Sequence, residues 1–419
     1  MDPTAILLDG EFKEAETSFE LIARVLKKNQ ELCNMTTEEL IETLEEYGKR
    51  LLKSEARHIE GVAFFSSWLR RSNIENLIKV NLGNKSVLEG FVPFNGGYIK
   101  AQPRGIVCHW VAGNVPTLSM FSLLQSIIAG NTNIMRIPKN AIENFSAMMK
   151  VLKEVKLNGR STGEMIVKKT SAVHFPSSER ELTEKMSALA DARVIWGGHD
   201  AVTAISSIKK RTHCEDIVFG PKYSFAVVDR HYSNSEELRD IVRRFVNDIK
   251  SFDQNACSSP HVIFFEANME KLADIGNIFA EELRKNEPKT LPGDISNILI
   301  KRAEYSMDTR KKAIFPENFK WGIFIDDEKK LEEPLCNSSI FLKSVGSIEE
   351  VLDLINPRIQ TIGCAIKNLE DFLDFSNKAG FRGISRLTAP GQMNLYDSPW
   401  DGMMVLERLI RWVSADFKD

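Results

Sequence analysis

The hydrophobic positions of this chain alternate between the period of buried strands and the period of amphipathic helices. The run GIVCHWVA from residue 105 predicts a strand, VPTLSMFSLLQSIIAG predicts a helix that ends at Gly130, and TNIMRI predicts the next strand. Helical segments then alternate with SAVHF and with ARVIW, which runs into Gly197 and Gly198. Strands that alternate with helices in this way predict a parallel, doubly wound sheet.

The same alternation restarts after Gly220 and predicts a second α/β domain. Its predicted strands are SFAVVD, HVIFFE, SIFLKSV and IGCAIK. One intervening helix is expected to open at Asn234 and Glu237, and another at the capping box of Ser347 and Glu350.

The N-terminal segment has a different pattern, because residues 1 to about 75 read as helical and charged. Thr36 and Glu39 form the capping-box pattern in front of a helical run. We therefore expect this segment to be a helical cover without a site of its own.

Composition excludes several classes of protein. The chain has 419 residues, of which 43% are hydrophobic and 27% charged, as in ordinary globular proteins of two or three domains. A net charge of -3 gives no general attraction to nucleic acid or anionic lipid. The N-terminus lacks a signal-peptide pattern and no apolar run reaches membrane-spanning length, so we expect no membrane span and a cytoplasmic protein. The six cysteines are far apart, without C-x-x-C pairs, and predict neither disulfides nor a metal site.

The stretch FDQNACSSPHVIFFE, residues 252–266, places Cys257 in a short polar turn between a helix and a strand. A thiolate there can be reached by substrate and lies near backbone N–H groups, as a nucleophile requires. Taken alone, the stretch equally fits a small buried cysteine that only fills space.

Three further segments follow predicted strands, where the ligands of open α/β sheets bind. Asn114 lies at the first strand-to-helix junction and could donate to an oxyanion, or could simply cap the helix. Arg136 and Lys139 end the next strand and would suit a phosphate, or form a solvated surface pair. The Gly197-Gly198 pair opens a helix and would suit a pyrophosphate, or form a tight turn.

Taken in order, these segments resemble the aldehyde dehydrogenase superfamily. PRGIVCHWVAGNVP together with ACSSP resembles, more narrowly, the long-chain fatty acyl-CoA reductases of bacterial bioluminescence. The resemblance covers roughly residues 60 to 405 and implies two doubly wound α/β domains with the active site in the cleft between them. It implies a dinucleotide-binding domain with the helical cover, a catalytic thiol domain, and a C-terminal segment that contacts another subunit or packs on its own domain. The stretch FGPK and the restart of the pattern after it place the first boundary near residue 222, so the three parts are expected to span residues 1–222, 223–403 and 404–419.

The resemblance also implies catalytic roles. Cys257 matches the nucleophile of the family, and Asn114 matches its oxyanion donor. Hydrolytic relatives carry a glutamate that activates water where this chain has Val218, so we expect poor hydrolysis of the thioester unless Glu215, Asp216 or His213 takes over this role. His213 is an open candidate for proton transfer or for an ordinary surface histidine.

Six residues are implied to contact the cofactor: Arg136, Lys139, Trp196, Gly197, Gly198 and Glu333. NAD-preferring relatives often have a glutamate near the position of Lys139, whereas a cation there implies a 2′-phosphate and hence NADPH. Glu333 is the residue expected to hold the nicotinamide ribose.

The expected reaction is reduction of a fatty acyl-CoA, or another acyl thioester, to the aldehyde through a thioester on Cys257. The resemblance also implies an acyl-activating synthetase as partner and a homo-oligomer. Within the superfamily, an acyl-phosphate reductase or an aldehyde dehydrogenase is the alternative. Outside enzymes, the alternative is an inactive structural or nucleotide-sensing homologue.

Overall fold

The computed structural model describes residues 2–32, 34–285 and 295–417, which belong to two structural units. The first unit comprises the chain up to Gly220 together with the residues from Tyr396 onward, and the second runs from Pro221 to Leu395. Residues 396–403, expected in the second domain, therefore lie in the first unit. There Tyr396 stacks on Phe121, with ring centroids 5.1 Å apart.

Numbered along the chain, the strands are β1 (Thr4–Leu8), β2 (Glu11–Glu16), β3 (Val92–Phe94), β4 (Gly97–Pro103), β5 (Ile106–Trp110), β6 (Thr132–Arg136), β7 (Thr170–His174), β8 (Ala192–Trp196), β9 (Glu215–Phe219), β10 (Tyr223–Val228), β11 (Pro260–Glu266), β12 (Lys312–Ile314), β13 (Gly322–Asp326), β14 (Ser339–Val345), β15 (Ile359–Ala365), β16 (Leu387–Thr388) and β17 (Ile410–Ala415).

The α-helices are α1 (Phe19–Leu32), α2 (Thr37–Leu51), α3 (Val62–Trp68), α4 (Arg71–Leu82), α5 (Leu118–Ile128), α6 (Ile142–Lys153), α7 (Thr162–Lys168), α8 (Arg180–Leu189), α9 (His199–Ser206), α10 (Arg230–Ser233), α11 (Leu238–Lys250), α12 (Met269–Lys285), α13 (Ser296–Ser306), α14 (Leu369–Phe381) and α15 (Val405–Arg408). Short 3-10 helices span Glu55–His58, Lys85–Leu88, Lys139–Ala141, Ser251–Gln254 and Ile348–Leu354.

The main sheet of the first unit has the order β2-β1-β7-β6-β5-β8-β9. Strands β5 to β9 pair in parallel, as the alternating pattern predicts. All five residues of β8 are buried, and β5 to β7 are buried at four of five positions, because helices cover the sheet. The predicted doubly wound sheet is confirmed.

The prediction of a purely helical N-terminal segment is wrong for residues 4–16. Strand β1 pairs antiparallel with both β2 and β7, so the chain begins as a hairpin at the edge of the sheet. Asp9 and Gly10, with φ of 50° and 80°, form the connection between β1 and β2. An Asp-Gly pair favours two-residue hairpin turns, and this signal stands in the sequence. The capping box of Thr36 and Glu39 is confirmed at the start of α2.

The sheet of the second unit has the order β12-β13-β14-β11-β10-β15-β16. All neighbouring strands from β13 to β16 in this order pair in parallel. The second predicted α/β domain is therefore confirmed. The capping box of Ser347 and Glu350 is also confirmed, although it opens a 3-10 helix. The helix expected to open at Asn234 and Glu237 forms as α11, but it begins later than expected and without a capping box. Glu237 occupies its N-cap position without a side-chain hydrogen bond, whereas Asn234 ends the preceding helix α10.

A small antiparallel sheet, β17-β4-β3, completes the first unit. Residues Val405, Leu406, Leu409 and Ile410 of the C-terminal segment are buried in the core of that unit. Their apolar spacing is therefore explained by packing within the first unit and does not require a contact with another subunit. In the parts of the chain that the structure describes, the helices are too short or too polar to cross a membrane.

Candidate active site

Three of the predicted ligand-binding segments meet at one edge of the first sheet. Asn114 follows β5, Lys139 follows β6, and Gly197 follows β8. These strands are neighbours in the order β6-β5-β8 and run parallel. Because the carboxyl ends of parallel strands share an edge, the three segments lie side by side where open α/β sheets bind ligands.

Asn114 lies in the loop between β5 and α5, and its side chain is exposed. The helix begins at Leu118, and Thr117 occupies the N-cap position. Asn114 therefore does not occupy the N-cap position of α5. The amide nitrogen of Asn140 donates to the carbonyl of Gly113 at 3.2 Å, so the segment after Lys139 holds this loop.

Arg136 and Lys139 differ in how their charges are used. The Arg136 guanidinium donates to the carbonyl of Phe175 at 2.9 and 3.3 Å, and burial lowers its pKa. Lys139 is exposed and has no carboxylate within salt-bridge distance among the residues that the structure describes. Of the two cations, Lys139 has the charge that is open to a ligand.

The glycine pair ends β8 as predicted. The Gly197 N–H donates to the carbonyl of Phe219 at 3.2 Å, and a side chain at Gly198 would meet nothing within 4 Å. The helix α9 starts directly after Gly198, which has no side chain to cap it. Trp196 is buried against Phe219, with ring centroids 3.6 Å apart, so core packing accounts for its side chain.

His213 lies at the opposite edge of the same sheet, before β9 begins. Its side chain is 64% exposed, and Nε2 is 3.4 Å from an oxygen of Asp191, which precedes β8. The five residues of β9 separate this edge from the Asn114 edge by about 13 Å. The structure therefore does not bring His213 together with Asn114, and its position gives no support to a catalytic role.

The two acidic residues near Val218 are also engaged elsewhere. Glu215 pairs with Arg408 and Arg104. Asp216 accepts two hydrogen bonds of 2.7 Å from buried Arg193. Burial would raise the pKa of Asp216, but the bonds from Arg193 and Lys210 outweigh this effect and hold it below its usual value.

Cys257 lies in the second unit, in a turn with an unusual backbone. Phe252, Asp253 and Gln254 have φ of 58°, 48° and 62°, so three successive non-glycine residues are left-handed. Such residues cost about 1 to 3 kcal/mol each and are concentrated at functional sites. The thiol of Cys257 is half-buried, and like the other cysteines that the structure describes it is in no disulfide. Cys33 lies outside the described residues.

Ser224 holds the backbone of the turn that contains Cys257. Its hydroxyl donates to the carbonyl of Cys257 at 2.8 Å and accepts the N–H of Thr361 at 3.1 Å. Cys257 is thereby fixed at the amino ends of β10, β11 and β15.

Asn394 holds the residues that follow Cys257. Its amide oxygen accepts the hydroxyls of Ser258 at 2.7 Å and Ser259 at 3.3 Å. Its amide nitrogen donates to the carbonyl of Asp248 at 2.7 Å. The Asp248 carboxyl in turn accepts backbone N–H groups of residues 391 and 393, while burial raises its pKa to about 7.

Glu333 lies on the surface of the second unit, where its side chain is 77% exposed and pairs with Arg358 at 3.3 Å. The residues that brace Cys257 were not predicted: Ser224, Asp248, Gln254 and Asn394. Serine, asparagine and glutamine in loops are too common to single out, and only the position of Gln254 inside the cysteine turn was a signal.

The structural relatives define the class of fold. An NAD-dependent aldehyde dehydrogenase from Sinorhizobium meliloti matches with a TM-score of 0.70 at 10% identity, over 98% of this chain and 94% of that one. A lactaldehyde dehydrogenase matches with a TM-score of 0.68 at 11% identity, over 100% of this chain and 99% of that one. The protein has the aldehyde dehydrogenase fold.

Sequence comparison then gives the family. Residues 17–412 match the family model described as acyl-CoA reductase (LuxC). The long-chain acyl-protein thioester reductase of Vibrio harveyi is 27% identical over 381 residues, 88% of this chain and 75% of the relative. That of Aliivibrio fischeri is 25% identical over 360 residues, 83% and 71% of the two chains. The chain belongs to the acyl-CoA reductase (LuxC) family, whose chemistry is the reduction of acyl thioesters.

Proposed function

We propose that this protein reduces a long-chain acyl thioester to the aldehyde, with Cys257 as the nucleophile and NADPH as the reductant. The observation that carries the proposal is the turn at residues 252–257, where a half-buried thiol follows three left-handed residues in a chain of the LuxC family. Backbone strain of this kind persists where surrounding contacts hold it for a function.

In the first step the Cys257 thiolate attacks the thioester carbonyl, a C–S bond forms, and the carbonyl electron pair moves to oxygen. The Asn114 amide and the Cys257 N–H donate to this oxyanion. Collapse of the tetrahedral species breaks the bond to the donor sulfur, which leaves as a thiolate.

Bound nicotinamide would supply the hydride that reduces the enzyme thioester at its carbonyl carbon. The same two donors then hold the second oxyanion, and its collapse breaks the C–S bond to Cys257 and releases the aldehyde. Because the negative charge develops on the same oxygen in both steps, Asn114 serves acylation and reduction alike.

The residues at the Asn114 edge of the first sheet fit a phosphorylated dinucleotide. The open surface at Gly198 and the uncapped start of α9 suit a pyrophosphate, and exposed Lys139 suits a 2′-phosphate. Glu333 remains a prediction for the nicotinamide ribose, and that role requires its carboxylate to leave Arg358.

We further propose that the acyl group arrives as a thioester of coenzyme A or of an acyl-activating synthetase. The relatives named as acyl-protein thioester reductases support the second source. Val218, together with the ion pairs of Glu215 and Asp216, favours transfer to hydride over hydrolysis, since these two carboxylates are engaged by arginines. A homo-oligomer is also proposed.

The test follows NADPH oxidation and aldehyde formation with a panel of acyl-CoA chain lengths. Cys257→Ala should abolish both, whereas Cys364→Ala, a change at a buried thiol near the carboxyl end of β15 in the same unit, should retain both. Aldehyde formation by Cys257→Ala would exclude the thioester mechanism, and release of the acid alone would favour an aldehyde dehydrogenase.

A further inference from the structure

The turn before Cys257 has a counterpart 84 residues further along the chain. Cys336, Asn337 and Ser338 have φ of 56°, 50° and 54°, a second run of three left-handed residues. The first run precedes β11 and the second directly precedes β14. Since β11 and β14 are adjacent and parallel, both runs lie at the amino ends of neighbouring strands.

The carboxamide of Gln254 joins the two turns. Its Nε2 donates to the carbonyls of Pro260 and Ser339, each at 2.8 Å, and its Oε1 accepts the N–H of Ser339 at 2.9 Å. The Gln254 side chain is completely buried. The amide nitrogen and the amide oxygen of Gln254 thus bond to the first residue of β11 and to the first residue of β14.

Ser339 takes part both in the contact with Gln254 and in the hydrogen bond within the second turn. Its N–H also donates to the carbonyl of Cys336 at 3.0 Å, which closes the second turn. Gln254 is itself the third left-handed residue of the first turn, three positions before Cys257. A change in its side chain therefore acts on the backbone of both turns at once.

We propose that Gln254 is a positioning residue that sets the place of the Cys257 thiol and couples it to the turn at 336–338. This role rests on the proposed function of Cys257 as the nucleophile. Gln254 does not touch substrate in this role. Its carboxamide keeps two costly backbone conformations in register, so that the sulfur stays in line for the thioester carbonyl.

The decisive variant is Gln254→Glu, which keeps the shape of the side chain but places a carboxylate against the carbonyls of Pro260 and Ser339. Gln254→Asn keeps the amide but shortens its reach, and it serves as a milder second variant. The matched control is Ser347→Ala, which removes a capping hydroxyl elsewhere in the same unit.

Two readouts are measured well below the melting temperature of each variant. One is the single-turnover acylation of Cys257 by acyl-CoA. The other is the rate of alkylation by iodoacetamide at Cys257, Cys336 and buried Cys364, followed by peptide mass spectrometry. The second readout needs no catalytic activity.

With Gln254→Glu we expect acylation to fall about tenfold or more, while Cys257 and Cys336 are alkylated faster and Cys364 stays protected. Gln254→Asn should show the same changes to a smaller degree, and Ser347→Ala should show none of them. Unchanged alkylation rates of Cys257 and Cys336 would contradict the coupling. An equal rise in the alkylation rate of Cys364 would show that Gln254 only stabilises the fold in general, which would also contradict the proposal. Failure of the proposed function would instead be seen as aldehyde formation by Cys257→Ala.

Discussion

The hydroxyl of Ser258 donates a hydrogen bond to the amide oxygen of Asn394 at 2.7 Å. The residue directly after Cys257 is thereby tied to a segment more than 130 positions away in the sequence, which is itself held by Asp248. This contact helps to hold the turn at residues 252–257 in place.

Replacing Asn394 by leucine should weaken both folding and catalysis. The Ser258 and Ser259 hydroxyls would lose their buried acceptor, which costs about 1 to 3 kcal/mol of unfolding free energy. Displacement of the turn should slow acylation of Cys257 by about tenfold or more. Urea denaturation and single-turnover acylation measure the two effects. Asn247→Leu, a change at an exposed residue of α11, is the control, and equal behaviour of the two variants would contradict the prediction.

Replacing Arg193 by methionine should strongly destabilise the first unit. Arg193 is completely buried and makes a two-pronged contact with Asp216, whose carboxylate would be left without its main partner. Removal of one partner of a buried ion pair costs about 3 kcal/mol or more. The free energy of unfolding measures the loss. Arg180→Ala, which breaks an exposed pair with Glu184, should change it by about 0.5 kcal/mol or less.

Lys139→Ala tests the cofactor preference. Loss of a charged hydrogen bond to a 2′-phosphate should raise the KM for NADPH about tenfold and leave the KM for NADH nearly unchanged. Initial rates with each cofactor measure the change. Lys209→Ala, which removes another exposed lysine of the first unit, should affect neither constant. Equal increases in the KM for NADPH and the KM for NADH would show that Lys139 does not contact the 2′-phosphate.

The pH dependence of stability contains opposing terms from buried groups. Burial lowers the pKa of His109 and of His261 to about 4, from an ordinary 6.5. Between these values the unfolded chain binds the proton and the folded chain does not, so each histidine adds stability as the pH rises and removes it as the pH falls. Burial raises the pKa of Asp248 to about 7, despite two backbone N–H bonds and the nearby charge of Arg386. Folded Asp248 therefore keeps a proton that the unfolded chain loses, and its contribution falls as the pH rises from about 4 to 7.

Asp248→Asn removes this opposing contribution. Relative to the unchanged protein, the free energy of unfolding of the variant should increase by about 1.4 kcal/mol per pH unit between pH 4 and 7. Urea denaturation at a series of pH values gives the two curves. A constant difference between them would show that Asp248 does not carry a proton in the folded protein.

The contiguous apolar runs made both sheets predictable, because strands such as β8 and β11 are buried on both faces. The capping boxes at Thr36 and Ser347 were equally readable, since their signals are local. The N-terminal hairpin is harder to recognise in the sequence, because the mostly exposed and charged residues of β2 lack the alternation typical of a half-buried strand.

The environment of Cys257 could not be predicted in the same way. Gln254 and Ser339 are 85 positions apart, and their contact depends on the adjacency of β11 and β14, which only the folded sheet defines. The left-handed conformations of Phe252 and Cys336 are also invisible in the sequence, because neither residue type favours them. Partners distant in the chain and strained backbones are both products of tertiary structure.

The return of the last residues to the first unit has a consequence for biosynthesis. The second unit is one uninterrupted stretch, whereas the first needs Trp400 and Leu409 in its core and β17 beside β4. On the ribosome, the second unit can therefore finish folding before the first unit. The first unit must wait until β17 has emerged. Premature termination shortly after residue 395 would leave the second unit complete and the first unit without part of its core.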